Sequence, residues 1–497
     1  MYPGGVKIIP TLSKSRFLAG LQCHLRLWYE CYSRDLASEV SPSQQAIFDM
    51  GHDVGRLATK LYPGGILIED DHLHHEEAVR STLAAMENPD VRAIFEAAFI
   101  FDGVRVRVDI LERLNDGGWN MIEVKSSTSV KDVYLPDVAV QLYVLQGSGL
   151  QVERAILMHI NNKYIYDGNQ LDLEGFFKSS DLTDQAEIMQ DEVLLKLSEM
   201  KDMLGKDHAP RIEPSRHCHN PYDCEFLEYC TREMPEYWVM NLSGITEVKL
   251  NELKAMGVDE IGDIPSSFPL TGIQERIRKC VIEQKEYISA ELEQELNDVM
   301  YPIHFLDFET VGPAIPRFAG TRPYETIPFQ WSDHILSESG ALDHKEYLCL
   351  EDKDPREEFV LSLIEALGTE GTVFIYTNYE TRIIRALADH MPEYSERLHA
   401  VIDRFKDLHA IMRKQFYHLR FKGSFSLKAV LPALVHDMDY NELAIQEGGQ
   451  ASFEYLRMMD PSTTGEEKER IKKELLTYCG YDTMAMVKIR DTLLKRF

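Results

Sequence analysis

In the stretch IHFLDFET, residues 303–310, two acids stand two residues apart in an otherwise apolar run. Side chains alternate across a strand, so Asp307 and Glu309 are expected to share a face, a few ångströms apart. Two ionised carboxylates that close repel unless one is protonated or a cation sits between them. A divalent ion resolves the conflict, and hard oxygen ligands suit Mg2+ or Mn2+. Two solvated acids at a strand end are the plain alternative. In LLTYCGYDTMAMVKIRDTLL, residues 475–494, Tyr478 and Asp482 are four apart on one helical face. Asp482 is expected to complete a carboxylate cluster and Tyr478 to orient a water. GTVFIYTNYETRIIRALA, residues 371–388, reads as a second apolar strand, with Glu380 opening the helix after it.

A second set of acids lies early in the chain. VRVRVDIL places Asp109 in a β run, with Val104, Val106 and Val108 expected on the opposite face. After a turn at DGG, 116–118, NMIEVKSS alternates Glu123 and Lys125 onto one face. An Asp and a Glu can hold Mg2+, and a Lys can polarise a water or neutralise charge at a scissile phosphate. An ordinary ion pair is the simpler account of the same pattern.

The cysteines fall into two groups. Cys218, Cys224 and Cys230 are spaced six apart in RHCHNPYDCEFLEYC, and Cys23 lies far upstream in GLQCHLRLWY. Four thiolates suit Zn2+, with His217 and His219 as spare ligands. Cys31, Cys280, Cys349 and Cys479 read as isolated core thiols.

The elements that must position these residues divide a chain of 497 residues into three parts, with boundaries near 235 and 299. Residues 1–100 read as mostly helical, 98–165 as strands, 183–204 as one long helix, 236–298 as helical again, and 301 onward as alternating α/β. No apolar run approaches the roughly 20 residues of a membrane helix. The N-terminus lacks the layout of a secretory leader, so the cytoplasm is the expected compartment. A net charge of −29 excludes a general nucleic-acid coat, since such binding runs on Lys and Arg neutralising phosphates. One basic stretch remains, from Arg404 and Lys406 through Arg413, Lys414, Arg420 and Lys422 to Lys428. Phe416, Tyr417, His418, Phe421 and Phe425 interleave with it. Either the bases grip phosphates while the aromatics stack on nucleobases, or a solvated face covers core aromatics.

The later set resembles the DEDD-type 3′–5′ exonucleases of the RNase H-like fold, in the Tyr-bearing subclass, over 299–497. Asp307 and Glu309 match the first motif, Glu380 stands where the second has Asp, and Tyr478 and Asp482 match the third. Asp407 is an alternative to Glu380, or a helix cap. GSFSLKAVLPAL, 423–434, is similar to the Ser-Leu-Lys helix of such enzymes. The resemblance implies a two-metal centre, with ions about 4 Å apart, held by Asp307, Glu309 and Asp482.

The early set resembles the PD-(D/E)XK nuclease core, in its RecB-like and CRISPR-associated exonuclease branch. Gln141, in VAVQLYVLQG, stands where that branch has its motif Gln, while Leu145 replaces the usual Tyr. Gly55 stands where many relatives carry a His, and His52 is out of register. One early and three late cysteines are the layout of iron–sulfur nucleases in this branch. The resemblance implies a structural 4Fe–4S cluster on Cys23, Cys218, Cys224 and Cys230, with Zn2+ as the rival occupant. LSGITEVKLNELKAMGVDEIGDIP, 242–265, is similar to helix–hairpin–helix modules, or is a plain helical linker.

Taken whole, the chain resembles a bacterial family that fuses an iron–sulfur RecB-like nuclease to a DEDD exonuclease. The expected fold is multidomain α/β: a PD-(D/E)XK core with a four-cysteine site over 1–235, a helical linker over 236–298, and an RNase H-like domain over 299–497. The implied function is metal-dependent cleavage of nucleic acid, with DNA ends or single strands as substrate and partners in repair or phage defence. The alternatives are a nucleic-acid-binding protein with one or both centres degenerate, and a cluster-containing structural or regulatory factor.

Overall fold

The computed structural model describes residues 9–70 and 74–497. The chain is mixed α/β and divides into two compact units. The first comprises residues up to Glu233 together with Pro313–Tyr324, and the second comprises Met234–Gly312 and Glu325–Phe497. The helices expected as a linker, Glu247–Ala255, Gly272–Glu283 and Leu292–Asn297, therefore belong to the second unit. Among the described residues no helix is long and apolar enough to cross a membrane.

The first unit is built on a seven-stranded mixed sheet. Its centre is the meander Ala93–Phe101, Val104–Arg113 and Trp119–Lys125, antiparallel throughout. Helix Leu135–Gly147 then crosses over to Val152–Ile160, which returns parallel to Trp119–Lys125. Val138, Ala139, Val140, Leu142, Val144 and Leu145 of that helix are all fully buried, as expected of a helix enclosed on most sides. The strict alternation expected around Asp109 is not kept. Val104, Val106, Val108 and Leu111 pack into one core, while Ile110 packs into the other, so the pattern slips at Asp109. On the neighbouring strand, between the partners of Val108 and Ile110, Glu96 has φ 56°. A non-glycine residue there distorts the strand pair locally. The helix expected over 183–204 is two, Thr183–Ile188 and Gln190–Leu204.

The second unit holds a five-stranded sheet in the order Leu342–Leu348, Ile327–Leu336, Ile303–Val311, Thr372–Ile375, Phe405–Asp407. Along the first three, each strand runs antiparallel to the next, and the last three are parallel. Leu306 and Phe308 face a core shared with Phe359, Leu363, Ile383 and Ile384. The opposite face of the sheet packs against the 30-residue helix Gly465–Leu494, which Thr464 caps by accepting from the Glu467 N–H. Buried residues of this helix recur at helical spacing: Ile471, Leu475, Tyr478, Cys479, Asp482, Thr483, Met486, Ile489, Leu493. The stripe is apolar at both ends and polar in the middle. Gln330, fully buried on the sheet, donates to the Leu475 carbonyl at 2.9 Å.

Candidate active sites

In the second unit, the polar middle of helix Gly465–Leu494 meets the acids of strand Ile303–Val311. Asp307, Glu309 and Cys479 each offer a ligand atom, all within 4.8 Å of one another. The Cys479 thiol lies 3.7 Å from the Asp307 carboxylate. It is therefore not the isolated core thiol that the sequence suggests, because the helical turn puts it on the face that carries Asp482. Glu309, Glu380 and Asp482 are buried, and Asp307 keeps partial exposure.

Burial and mutual repulsion dominate the electrostatics here. The Asp307 carboxyl is pushed far above its usual range by burial and then by Asp482, Glu380 and Glu309. Glu309 is pushed up by burial, Asp482 and Glu380, against a pull from Lys428. Burial raises Glu380 to about 8, with Asp407 and Asp482 adding to it. Asp482 rises only to about 6, because hydrogen bonding to Tyr440, the charge of Lys428 and hydrogen bonding to Tyr478 oppose its burial. Glu380 Oε2 is buried with no hydrogen-bond partner. Crowded acids, one with an orphaned oxygen, form a donor set that fits hard divalent cations.

Tyr478 is buried beside these acids, which with burial hold its phenol protonated. Two contributors escape a sequence reading. Tyr440 opens a single 3-10 turn, Tyr440–Glu442, and Lys428 stands out in the sequence only as part of a basic stretch and a familiar helix. Asp407, the alternative to Glu380, caps helix Leu408–Gln415 by accepting from the Ala410 N–H at 2.9 Å.

In the first unit the four expected residues also converge. Asp109 accepts the Val124 N–H at 2.7 Å. Glu123 Oε1 accepts from Lys125 at 2.7 Å, and Gln141 donates to Glu123 Oε2 at 2.8 Å. Two residues not anticipated complete the set. Lys14, the first residue of helix Lys14–Gln22, also donates to Glu123 Oε1 at 2.7 Å. Asp137, one turn before Gln141, accepts from Lys125 at 2.6 Å and from Gln141 at 3.1 Å. Burial alone would raise Glu123, but Lys14 and Lys125 hold it well below the carboxylate range. Asp109, buried and repelled by Glu123, rises to about 8. His52 is exposed on its helix.

Cys23, Cys218, Cys224 and Cys230 line one pocket together with Gln22, Arg26, Phe226 and His217. Burial raises the Cys224 thiol to about 12 and Cys230 to about 11. Gln22 donates to the His217 and Tyr222 carbonyls at 2.8 and 2.7 Å, and Arg26 pairs with Glu225 at 2.9 Å. These contacts stitch the N-terminal helices to the segment that carries the other three thiols. Four sulfurs converging from distant parts of the chain form a donor set that fits a thiolate-bound metal group. His219 instead pairs with Asp223 at 2.6 Å.

Of the two readings of the basic–aromatic stretch, the buried one holds for its rings. Phe416, Tyr417, Phe421 and Phe425 are buried and pack ring against ring, so they offer no stacking platform. Phe416–Tyr417 pairs as a strand with Tyr287–Ile288, which draws these rings inward. Arg404 donates to the carbonyls of Leu367, Gly368 and Gly371, and Lys406 to that of Asp298.

A family described only as a domain of unknown function, DUF2779, matches residues 304–426. That span includes Asp307, Glu309 and Glu380 and ends before Tyr478 and Asp482. No curated protein and no solved structure matches the chain.

Proposed function

We propose that the chain is a metal-dependent nuclease, with its principal centre at Asp307, Glu309, Glu380 and Asp482. The observation that carries this is the convergence of four acids from one strand, the first turn of helix Tyr379–His390 and the long helix Gly465–Leu494, with little opposing charge. The strand order and directions of the second unit support an RNase H-like reading. The antiparallel meander followed by a helical crossover supports a PD-(D/E)XK reading of the first.

A divalent pair, if bound there, would supply an activated water and charge stabilisation for the leaving 3′ oxygen. Asp307, Glu309 and Asp482 would hold it, and the free Oε2 of Glu380 is available to do so directly or through water. Tyr478, kept protonated by burial and the neighbouring acids, cannot take a proton from the attacking water, and it can donate to that water only by giving up its hydrogen bond to Asp482. The hydrogen bond from Tyr440 and then the charge of Lys428 hold Asp482 below where burial alone would put it, and Lys428 offsets part of the charge at Glu309 as well.

In the first unit, Asp109 and Glu123 would hold a single ion, with Lys125 beside the scissile phosphate and Gln141 fixing Glu123. The four-cysteine site would carry a 4Fe–4S cluster, or zinc, as a structural staple. DNA ends or single strands are the proposed substrate, with repair or phage defence as the setting. Asp307→Asn and Lys125→Ala, assayed separately on single-stranded DNA, duplex DNA and RNA with Mg2+ or Mn2+, test both centres. Cleavage undiminished in Asp307→Asn would sink the principal assignment.

One observation favours a second reading for the first unit. Both oxygens of Glu123 are already engaged, by Lys14, Lys125 and Gln141. A binding module with a degenerate centre would look the same, and Lys125→Ala would then change binding but not cleavage.

A further inference from the structure

We propose that Lys14 is the internal counter-ion of the first centre, and that a divalent ion at Asp109 and Glu123 competes with its ammonium for Glu123. The inference rests on the nuclease reading of that centre and assigns a positioning and gating role to a residue outside its motifs.

The geometry is specific. Two ammoniums, those of Lys14 and Lys125, share the single oxygen Glu123 Oε1, each at 2.7 Å. Two like charges on one oxygen repel, and they are held by the second carboxylate, Asp137, which receives Lys125 at 2.6 Å and Lys14 at 3.4 Å. The two lysines and two acids cancel in charge, and Asp109 alone is left over, accepting only a backbone N–H. A carboxylate offers about four lone-pair directions, and three donors already use those of Glu123. Both directions of Oε1 are taken by the two ammoniums and one of Oε2 by Gln141, so a metal ion can engage Oε1 only by removing an ammonium, and at Oε2 it still faces both positive charges.

Lys14 is the donor best able to leave. Gln141 sits on the enclosed helix Leu135–Gly147, and Lys125 ends a central strand and grips Asp137 closely. Lys14 stands at the first position of its helix and holds Asp137 only at 3.4 Å. The second centre has no such device among the described residues, since its acids are opposed mainly by Lys428 at a distance. The two centres should therefore have different metal thresholds: the second fills first, and the first only at higher metal.

The test uses the full-length chain with the second centre silenced by Asp307→Asn and Asp482→Asn. Mn2+ is titrated, and free ion is read by electron paramagnetic resonance. Lys14→Gln removes a unit positive charge a few ångströms from the ion and should tighten one Mn2+ site roughly tenfold or more. Lys14→Arg keeps the charge and should stay weak, and adding Asp109→Asn to Lys14→Gln should abolish the gain. Equal affinity with Lys14 and Gln, or tight binding in the Arg variant, overturns the role of Lys14 and leaves the centre's metal reading standing. Failure of every variant to bind Mn2+ overturns both. Thermal unfolding of the Gln and Arg variants confirms that the compared proteins are folded.

Discussion

The phenol of Tyr440 donates a hydrogen bond to Oδ1 of Asp482, joining a one-turn segment to the middle of the long helix. This bond opposes the rise in the Asp482 carboxyl. In Tyr440→Phe the carboxyl should protonate at higher pH and compete less well for cations. The acid limb of the pH profile for cleavage should move upward, with kcat/KM near neutrality falling about tenfold and recovering at alkaline pH. An unchanged profile would remove Tyr440 from the site.

Stability should depend on pH in a direction set by the same acids. Asp307, Glu309, Glu380 and Asp482 all titrate above their ordinary range, Glu380 near 8 and Asp482 near 6. The folded chain therefore keeps protons that the unfolded chain releases at about pH 4, and stability falls as pH rises from about 5 to 8. With chelator present, Tm should drop by several degrees across that window. Mn2+ should cancel the drop, and Asp307→Asn should raise the chelated Tm at pH 8 while abolishing the second unit's share of the cleavage. A chelated Tm that rises with pH would contradict the charge arrangement.

Gly371, at the entry to strand Thr372–Ile375, has φ 91°, and a Cβ there would overlap the Pro302 carbonyl oxygen. Any side chain forces apart the parallel pair Thr372–Ile375 and Ile303–Val311. Gly371→Ala should cost more than about 2 kcal/mol in denaturant unfolding. A variant as stable as the parent would show that the strand entry can relax.

The cysteine site should announce its occupant. Protein purified without oxygen should be brown and carry iron and sulfide, and Cys23→Ser should lose the colour and lower the melting temperature of the first unit. A colourless protein with one zinc per chain would replace the cluster by a tetrahedral thiolate site.

The later centre is the more legible in the sequence. Asp307 and Glu309 declare a shared face through the two-residue period of a strand, and Tyr478 and Asp482 through one helical turn. Cys479 can be read from the same turn, one residue from Tyr478, once its face is followed. Lys14 is hidden because it lies 109 residues from Glu123, in a stretch that reads as a helix cap. Asp137 is hidden because an acid in the first turn of a helix needs no further explanation. The slip at Asp109 leaves no trace in the sequence, since it depends on the strained conformation of Glu96 on a neighbouring strand. The aromatics of 416–425 mislead because alternating basic and aromatic residues suit a binding surface and a buried short strand equally well.

The first unit borrows Pro313–Tyr324 from well beyond its other residues. Ala314 is buried in its second core, and the Tyr324 phenol donates to the Ser126 carbonyl, one residue past Lys125. During translation the chain emerges at about 5–20 residues per second, so this core waits many seconds for its last pieces. Until the ribosome has passed Tyr324, an apolar surface beside Ile110 and Ile122 stands open to water. The early half of the chain therefore completes its packing only after part of the later half has been synthesised.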